Sequence, residues 1–381
     1  GLVGSEMCIR DSARTLRKTD QLVLESSTNA VAFHRLLCQH AGRVVISNPL
    51  KTRIISEAKV KTDKVDAEIL ARLLAADFLP EVWVPDPYTD HLRHLVFHRH
   101  GLVQQRTQTK NRVHSILHRT LVPPPPVTEL VGKKGRRLLA EVELPEGEAL
   151  LLEADLRLLD FLDKEVGEAD KALARAVHED QDVRRLMTIP GISLTSSVAL
   201  KAAIGDIHRF ASPSRLVSYF GLNPSVRQSG EKTYTGHISR RGRSHARSVL
   251  VEAAHQLVRS PGPLHAFFVR LKRRKPTNVA ITAVARKLAV LAWHMLSKGE
   301  DYHYSPPART REKLRRLDRL ASDGDTPRKK PSSPAPKRSQ DREPGRRGQE
   351  RYERFIRDRF GSDGPEGTDH PNRSDPGRRG A

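Results

Sequence analysis

Two aspartates, Asp63 and Asp66, lie three residues apart in the segment KTDKVDAEILARLLA, which covers residues 61–75. At about 100° per residue, this segment predicts an amphipathic helix in which both carboxylates point to the side of the leucines, away from the charged stripe. The helix dipole favours an acid in the first turn by about 0.3–1 kcal/mol, and this effect alone would explain Asp63. A partly buried carboxylate at Asp66 needs a compensating partner, which a divalent cation would supply. The spacing therefore leaves two interpretations open, a dipole-stabilised pair or half of a metal site.

A third acid, Glu25, ends a short apolar run that begins at residue 20. Helical spacing follows over residues 29–40, and a second β-branched run, RVVIS, covers residues 43–47. Strand, helix and strand at this length predict a βαβ unit with parallel strands. Glu25 is then at the carboxyl end of its strand, where open α/β sheets hold their chemistry. Phosphoryl transfer by two metal ions needs acids from separate elements, and this acid and the two aspartates are three candidates.

The composition indicates a nucleic-acid partner. The 381 residues include 67 Lys+Arg and 45 Asp+Glu, a formal net charge of +22, which predicts either nucleic acid or an anionic membrane as partner. We expect no membrane partner, because no apolar run approaches the about 20 residues of a membrane span. The two cysteines, Cys8 and Cys38, exclude a disulfide framework and a Cys-based zinc finger, and they suit a reducing cytoplasm.

Residues 88–182 are predicted to form a helical middle region. It begins with a strongly basic helix, in which the cations between Arg93 and Arg119 would grip the backbone of RNA or DNA. A heptad pattern follows over residues 147–179, with apolar residues at both seam positions: Leu152, Leu159, Leu162, Val166, Ala169, Leu173 and Ala176. About three heptads predict either a short coiled coil between chains or a helix that packs on its own domain.

Residues 183–303 are predicted to form a mainly α-helical C-terminal domain. Its segment IPGIS, residues 189–193, is either an ordinary turn or a helix–hairpin–helix turn whose backbone amides face a phosphate. Residues 304–381 are rich in Pro, Arg, Ser and Asp and poor in apolar residues. This composition predicts a disordered basic tail that adds non-specific affinity for nucleic acid.

Five stretches of the chain resemble one protein family. VLESSTNA, VVISNP and KTDKVDAEILA resemble the N-terminal domain of the DEDD transposases of bacterial insertion sequences. The run from IPGIS to NPSVRQSG, and the later GHISRRGRSHARSVL, are similar to the C-terminal transposase domain of that family. The resemblance covers residues 15–300 and implies an α/β RNase H-like (RuvC-like) domain over residues 13–87, ahead of the helical middle region.

The resemblance also implies a metal site and a nucleophile. The family binds metal with four acids in the order Asp-Glu-Asp-Asp, and Glu25, Asp63 and Asp66 match the second, third and fourth. From the chemistry of phosphoryl transfer, we expect the metal to be Mg²⁺, as two ions. A serine of the C-terminal domain attacks DNA and becomes covalently joined to it, and the GL-x-P…SG motif matches Ser229 to this serine. By residue type alone, Ser225 and other nearby serines such as Ser239 are candidates too, and a serine before glycine is most often a turn residue.

Cations near Ser229 would lower the cost of forming an alkoxide beside a phosphate. The residues we assign to nucleic-acid binding are Arg227, Lys232, Arg240, Arg241, Arg243 and Arg247. The alternative is a solvated basic loop. Members of the family act as tetramers guided by a bridge RNA that pairs with donor and target DNA. The resemblance therefore implies DNA and a guide RNA as partners, a homodimer or homotetramer, and action on the nucleoid in the bacterial cytoplasm.

The first twelve residues, GLVGSEMCIRDS, depart from the family pattern. They show neither the alternation of a strand nor the period of a helix, and they lack the charged region followed by an apolar region that marks a signal peptide. They resemble a translated sequencing-adaptor read-through. We expect the first strand, with the family's first aspartate, to be missing. The main hypothesis is a DNA transposase that cleaves and exchanges strands through a serine–DNA intermediate. The alternatives are an inactive nucleic-acid-binding remnant and a RuvC-like junction nuclease.

Overall fold

The computed structural model describes residues 11–55, 62–123, 125–230, 232–322 and 338–360. The chain divides into two compact units, one up to Asp86 and the other from Pro87 onward. The regions predicted over residues 88–182 and 183–303 both belong to the second unit. Residues 1–10 of the segment predicted to be foreign lie outside the described residues; Ala13, just after that segment, is buried in the first unit.

The first unit contains the predicted βαβ arrangement, which is confirmed. Its elements are β1 (Gln21–Glu25), α1 (Ala30–Leu37), β2 (Arg43–Ser47), α2 (Pro49–Ile55) and α3 (Asp63–Ala75). The two strands pair in parallel, from Gln21 opposite Arg43 to Glu25 opposite Ser47. Over the described residues this sheet has two strands, and an isolated antiparallel bridge joins Ser47 to Glu81. The strand end that carries Glu25 is therefore the carboxyl edge of a parallel pair.

The second unit begins with two long helices that pack together. Its first elements are α4 (Pro87–Arg119), α5 (Lys133–Ala140) and α6 (Glu146–Ala176). The predicted heptad stripe is buried within the chain, for example at Leu152, Leu159 and Leu173. Leu152 and Leu159 pack with Ile116 and Leu117 of α4. The structure thus favours a helix packed on its own chain as the explanation of this stripe.

The rest of the predicted C-terminal domain is helical apart from one β-hairpin. Its elements are α7 (Gln181–Thr188), α8 (Leu194–Ile204), a 3-10 turn (Ile207–Arg209), α9 (Pro213–Tyr219), β3 (Pro224–Ser229), β4 (Lys232–Ile238), α10 (Ser244–Leu257), α11 (Pro263–Lys272) and α12 (Thr277–Lys298). The IPGIS segment joins α7 to α8, and Gly191 in it has a φ of 87°. A Cβ there would lie 2.5 Å from the carbonyl oxygen of Ala253, so the turn is packed against α10. This contact favours the ordinary-turn interpretation.

Helix α12 corrects the expectation that no apolar run is long enough to cross a membrane. Among the described residues, Thr277–Lys298 is one helix that has the required length and composition. Nine of its residues are buried, and eight of these, including Val284, Leu288 and Ala292, belong to the main hydrophobic core of the second unit. A core helix of this kind passes the same test of length and composition as a membrane span, so the finding is weak evidence for a membrane.

The prediction of a disordered tail is wrong for two segments. Three more helices follow α12: α13 (Pro307–Ala321), α14 (Arg338–Asp341) and α15 (Glu343–Phe360). In α13 the spaced residues Leu314, Leu317 and Leu320 form an apolar stripe, and Leu317 is fully buried in a hydrophobic cluster that α13 joins by packing against α6 and α7. Helix α15 packs against α11. Residues 323–337 and 361–381 of the predicted tail lie outside the described residues.

Candidate functional site

The three predicted metal ligands differ in burial. Glu25 is exposed at the last position of β1, as predicted. Asp66 is half-buried on the same side of α3 as Leu70 and Leu73, so its inward direction is confirmed. The inward direction of Asp63 is wrong, because this residue is exposed at the first position of the helix. There its carboxylate is beyond the packed stripe and serves the amino end of the helix dipole.

Helix α3 packs against β1, but the three acids do not assemble into a metal centre. Within the described ranges, no three His, Cys, Asp or Glu side chains are close enough together to hold one ion. The four-acid arrangement implied by the resemblance is therefore not formed by Glu25, Asp63 and Asp66 in this conformation.

Ser229 is at the tip of the β3–β4 hairpin. It is the last residue of β3, is exposed, and is paired with Lys232, the first residue of β4. Arg227 is paired in the same way with Tyr234. Directly opposite residues of an antiparallel pair share a face, and so do residues two apart on one strand. One face of the hairpin therefore carries the serine, two cations and an aromatic ring that is 63% exposed.

The arginines that follow the hairpin have different surroundings. Arg240 and Arg241 are exposed, and Arg240 has a φ of 53°. Arg247 was predicted to bind nucleic acid, but its Nη1 donates to the carbonyl oxygens of Phe220 and Arg240, each at 3.1 Å. Through these two bonds, Arg247 joins the chain before the hairpin to the chain after it and so closes the hairpin at its base, or root. Half-buried Arg243 donates from Nε to the Tyr219 hydroxyl at 2.8 Å.

The predicted nucleic-acid role of the basic helix α4 is not supported at four positions. There, arginines form ion pairs with acids of α6 in an antiparallel ladder: Arg99–Asp170 at 2.5 Å, Arg106–Asp163 at 3.0 Å, Arg112–Asp155 at 2.6 Å and Arg119–Glu148 at 2.5 Å. The hydrogen bond from Arg119 holds the pKa of Glu148 below its ordinary value. The cations of α4 that face α6 thus stabilise the helix pair.

One group of residues was not anticipated from the sequence as a unit. Arg209 and Arg243 contact Tyr219, and Arg93 binds the same end of α8 as Arg209. Of these four residues, Arg93 and Arg243 had been assigned to nucleic-acid binding, but separately. They are half-buried. Because they are up to 150 residues apart, no local pattern in the sequence could have joined them.

Comparisons with known proteins identify the class of this protein. Residues 5–122 match the family model of the DEDD transposases of the IS110 type, and residues 183–269 match the transposase family IS116/IS110/IS902. The chain is 26% identical over 285 residues to the transposase for insertion sequence element IS1111A of Coxiella burnetii, covering 69% of this chain and 76% of that protein. It is also 26% identical over 285 residues to the transposase for IS1328 of Yersinia enterocolitica, covering 73% of this chain and 84% of the relative.

These matches define a DNA-transposing enzyme of a bacterial insertion sequence. The chain belongs to the IS110-type family of DEDD transposases. Membership implies an RNase H-like fold for the DEDD domain, DNA as the substrate, and dependence on a divalent metal.

Proposed function

We propose that this transposase cuts DNA by joining it transiently to Ser229. The Oγ atom of the serine forms a bond to phosphorus while a bond from phosphorus to a deoxyribose oxygen breaks, and the serine proton ends on the displaced hydroxyl. In the second step, a hydroxyl of the receiving strand attacks the same phosphorus, restores the serine and completes the exchange. What supports this proposal is the exposed hairpin face on which Ser229 lies opposite Lys232 and beside Arg227.

Each neighbour on this face has a chemical role in the proposal. The two cations offset the negative charge that develops on the phosphoryl oxygens. Tyr234 offers a flat surface on which a nucleobase next to the cut can stack, a contact worth about 1–3 kcal/mol. Arg240 and Arg241, just beyond the hairpin, bind phosphates further along the strand.

The decisive experiment is trapping of the covalent adduct. The full chain is incubated with duplex DNA carrying an end of the insertion sequence, denatured, and examined for protein-linked DNA. We expect Ser229→Ala to abolish the adduct and Ser225→Ala, on the same exposed strand, to retain it. The adduct should be cleaved by alkali, because a phosphoserine ester undergoes elimination whereas a phosphotyrosine ester does not. An adduct that persists in Ser229→Ala, or one that resists alkali, contradicts the assignment.

We further propose that Glu25, Asp63 and Asp66 bind Mg²⁺ as part of a two-ion site. The support is chemical: carboxylate oxygens are the ligands that Mg²⁺ prefers, and α3, which carries two of them, packs against the strand that carries the third. Because these acids do not cluster in this conformation, binding requires them to move together. Calorimetric titration with Mg²⁺ checks this, and Asp66→Asn should weaken the binding. Equal binding by the wild type and Asp66→Asn would exclude Asp66 as a ligand.

The partners of the proposed enzyme are DNA and a guide RNA, acting at the bacterial nucleoid in the cytoplasm. The net charge of +22 supports polyanionic partners of this kind. A homodimer or homotetramer is also part of the proposal. It is supported by a second stripe on α6, where Leu151, Leu158 and Phe161 are 49%, 39% and 57% exposed. Their spacing of seven and three residues is that of a helix–helix seam, which a second copy of α6 would cover.

Light scattering coupled to gel filtration tests the oligomer. Leu158→Glu should lower the mass toward that of one chain of 42.8 kDa, whereas Arg157→Gln on the polar side should leave it unchanged. An unaltered mass in Leu158→Glu removes α6 as the contact between copies.

The second candidate function is a nucleic-acid-binding remnant without catalysis, and the unassembled acids favour it. A remnant binds DNA but forms no adduct even in the wild type. The third candidate, a RuvC-like junction nuclease, cuts four-way junctions without forming an adduct. The trapping experiment therefore separates the transposase from the other two, and cleavage of a four-way junction separates the nuclease from the remnant.

A further inference from the structure

Tyr219 is the centre of an arginine cluster at the root of the hairpin. It is the last residue of α9, and its hydroxyl accepts a hydrogen bond of 2.8 Å from Nε of Arg243, just before α10. The guanidinium carbon of Arg209 lies 4.6 Å from the centre of the Tyr219 ring and 4.1 Å from that of Phe210. Two guanidinium groups from separate elements therefore approach one phenol.

Backbone carbonyls at the end of α8 fix the arginines of this cluster. Arg209 donates from Nε to the carbonyl oxygen of Ile204 at 2.7 Å, and Arg93 donates from Nε to that of Ala202 at 2.9 Å. The last carbonyls of a helix lack partners in the helix and carry the negative end of its dipole, so these arginines serve partly as a helix cap. Arg243 makes no such bond to α8 in the described part of the chain, and a cap alone does not account for it.

The electrostatics of the cluster indicate an anion site. Burial is the main effect that lowers the pKa of Arg93 and of Arg209, and repulsion from Arg243 lowers both further. Burial alone would raise the pKa of Tyr219, but Arg243 and Arg209 bring it below its ordinary value. The carboxylates that act on the cluster, Asp90 and Asp206, have the weakest effects on the arginines. Half-buried cations that repel one another are stabilised when an anion binds between them.

The groups next to the cluster favour nucleic acid over a free anion. Phe97, one helical turn after Arg93 on α4, is 53% exposed, and its ring centre is 6.0 Å from that of His245 on α10. The His245 ring centre is 4.6 Å from that of His100. An exposed aromatic ring beside guanidinium groups is the combination with which proteins hold a base and its phosphate together.

We propose that Arg93, Arg209 and Arg243 bind a backbone phosphate of the nucleic acid. In the absence of nucleic acid, the Tyr219 hydroxyl occupies the position that a phosphate oxygen takes in the complex. The site is distinct from the cleavage position: β3 extends over six residues from Pro224 to Ser229, a rise of about 17 Å. The inference rests on the proposed function in one respect: the bound phosphate is taken to belong to the nucleic-acid strand that is cut at the hairpin. Its test measures binding and needs no cleavage.

The salt dependence of binding tests the site directly. Affinity for a duplex DNA of random sequence is measured over a range of salt for the full-length wild type, Arg243→Gln, Tyr219→Phe and Arg157→Gln. The control, Arg157, is an exposed arginine on the acid-rich α6, so its substitution removes the same charge away from the site. Circular dichroism confirms that each variant is folded.

We expect Arg243→Gln to weaken binding about tenfold, since a hydrogen bond between charged groups is worth roughly 1.5–3 kcal/mol. The slope of log affinity against log salt should fall by about 0.9, the value for one lost phosphate contact. Arg157→Gln should keep the wild-type slope. Tyr219→Phe removes the competing acceptor and keeps the cations, so its affinity should equal or exceed that of the wild type.

A wild-type slope in folded Arg243→Gln overturns the proposal and leaves the cluster as a helix cap with aromatic packing. If Arg243→Gln does not fold, the test relies on Tyr219→Phe. Weaker binding of DNA by folded Tyr219→Phe than by the wild type also overturns the phosphate-site proposal. A lowered slope in Arg243→Gln together with an unaltered adduct in Ser229→Ala would keep the phosphate site and reject the serine mechanism.

Discussion

Replacing Lys313 with methionine should remove a pH-dependent part of the stability of the second unit. The Nζ atom of Lys313, on α13, donates to the carbonyl oxygens of Ile189 and Ile192 at 2.9 Å each. Both carbonyls belong to the turn between α7 and α8, so this lysine fastens α13 to the domain core. Burial, and secondarily the charge of Arg309, lower the pKa of Lys313 from 10.5 to about 8.

The sign and size of the effect follow from this shift. Below pH 8 the lysine is protonated in both states, and the free energy of unfolding does not depend on its titration. Between pH 8 and 10.5 the unfolded chain binds one proton more than the folded chain, so stability rises with pH. From pH 8 to pH 9.5 the gain is about 1.5 units at about 1.36 kcal/mol each, or about 2 kcal/mol. Neutral Lys313 still has two N–H groups for the two carbonyls.

Urea unfolding at pH 7.5 and pH 9.5 measures the gain. Trp293 reports on the second unit, because its Nε1 donates to the carbonyl oxygen of Phe210 within the core, and Trp83→Phe makes it the single tryptophan. The stability difference between wild type and Lys313→Met should grow by about 2 kcal/mol at the higher pH, while groups that titrate in both proteins cancel. Lys313→Arg, whose cation does not titrate in this range, should lack the gain. A difference that is equal at both pH values would refute the burial of this ammonium group.

Three further predictions test other parts of the fold. Gly191→Ala should destabilise the protein by about 2 kcal/mol or more, because φ is 87° and the added Cβ meets a carbonyl oxygen. Gly101→Ala, in open space within α4, should instead stabilise the protein by about 0.5–1 kcal/mol. Thermal unfolding compares the two variants, and equal changes in stability would contradict the turn geometry. A double-mutant cycle on Arg112 and Asp155 should give a coupling of about 1 kcal/mol at low salt, and zero coupling would remove the ladder as a stabilising contact. Burial, and then a neighbouring histidine of α4, lower the pKa of His245, so stability should fall as pH is lowered through and below about 6.5, and a smaller fall in His245→Gln would confirm the source.

The part of the fold that depends on short-range pattern could be predicted. β1, α1 and β2 occur where alternation and helical spacing indicated, and the parallel pairing follows from the helix between the strands. The carboxyl-edge position of Glu25 follows from the same reasoning. At Asp63 the helical wheel was misleading, because a wheel assumes packing along the full length of a helix and this residue is at its exposed first position.

The predicted roles of charged residues were less secure, because a charge on a helix looks the same in sequence whether solvent, nucleic acid or an ion partner faces it. Arg99 and Arg119 read as nucleic-acid contacts, yet they pair with acids of α6. The charged segment from Pro307 to Ala321 read as a disordered tail, yet three leucines on one face were enough to dock it. The overall composition of a segment averages its polar and apolar residues, whereas the packing of a helix on a domain depends on one apolar stripe along it.

The sequence by itself determined the family, the order of the elements and the residue types available for chemistry, because these are carried by local motifs. Only the tertiary structure decided that the heptad stripe of α6 packs on its own chain, that Arg247 closes the hairpin, and that Glu25, Asp63 and Asp66 do not form a metal site in the described conformation. It alone brought Arg209 and Arg243, from two separate elements, to the same phenol. Such contacts depend on how several elements pack at once, and no window of the sequence contains that information.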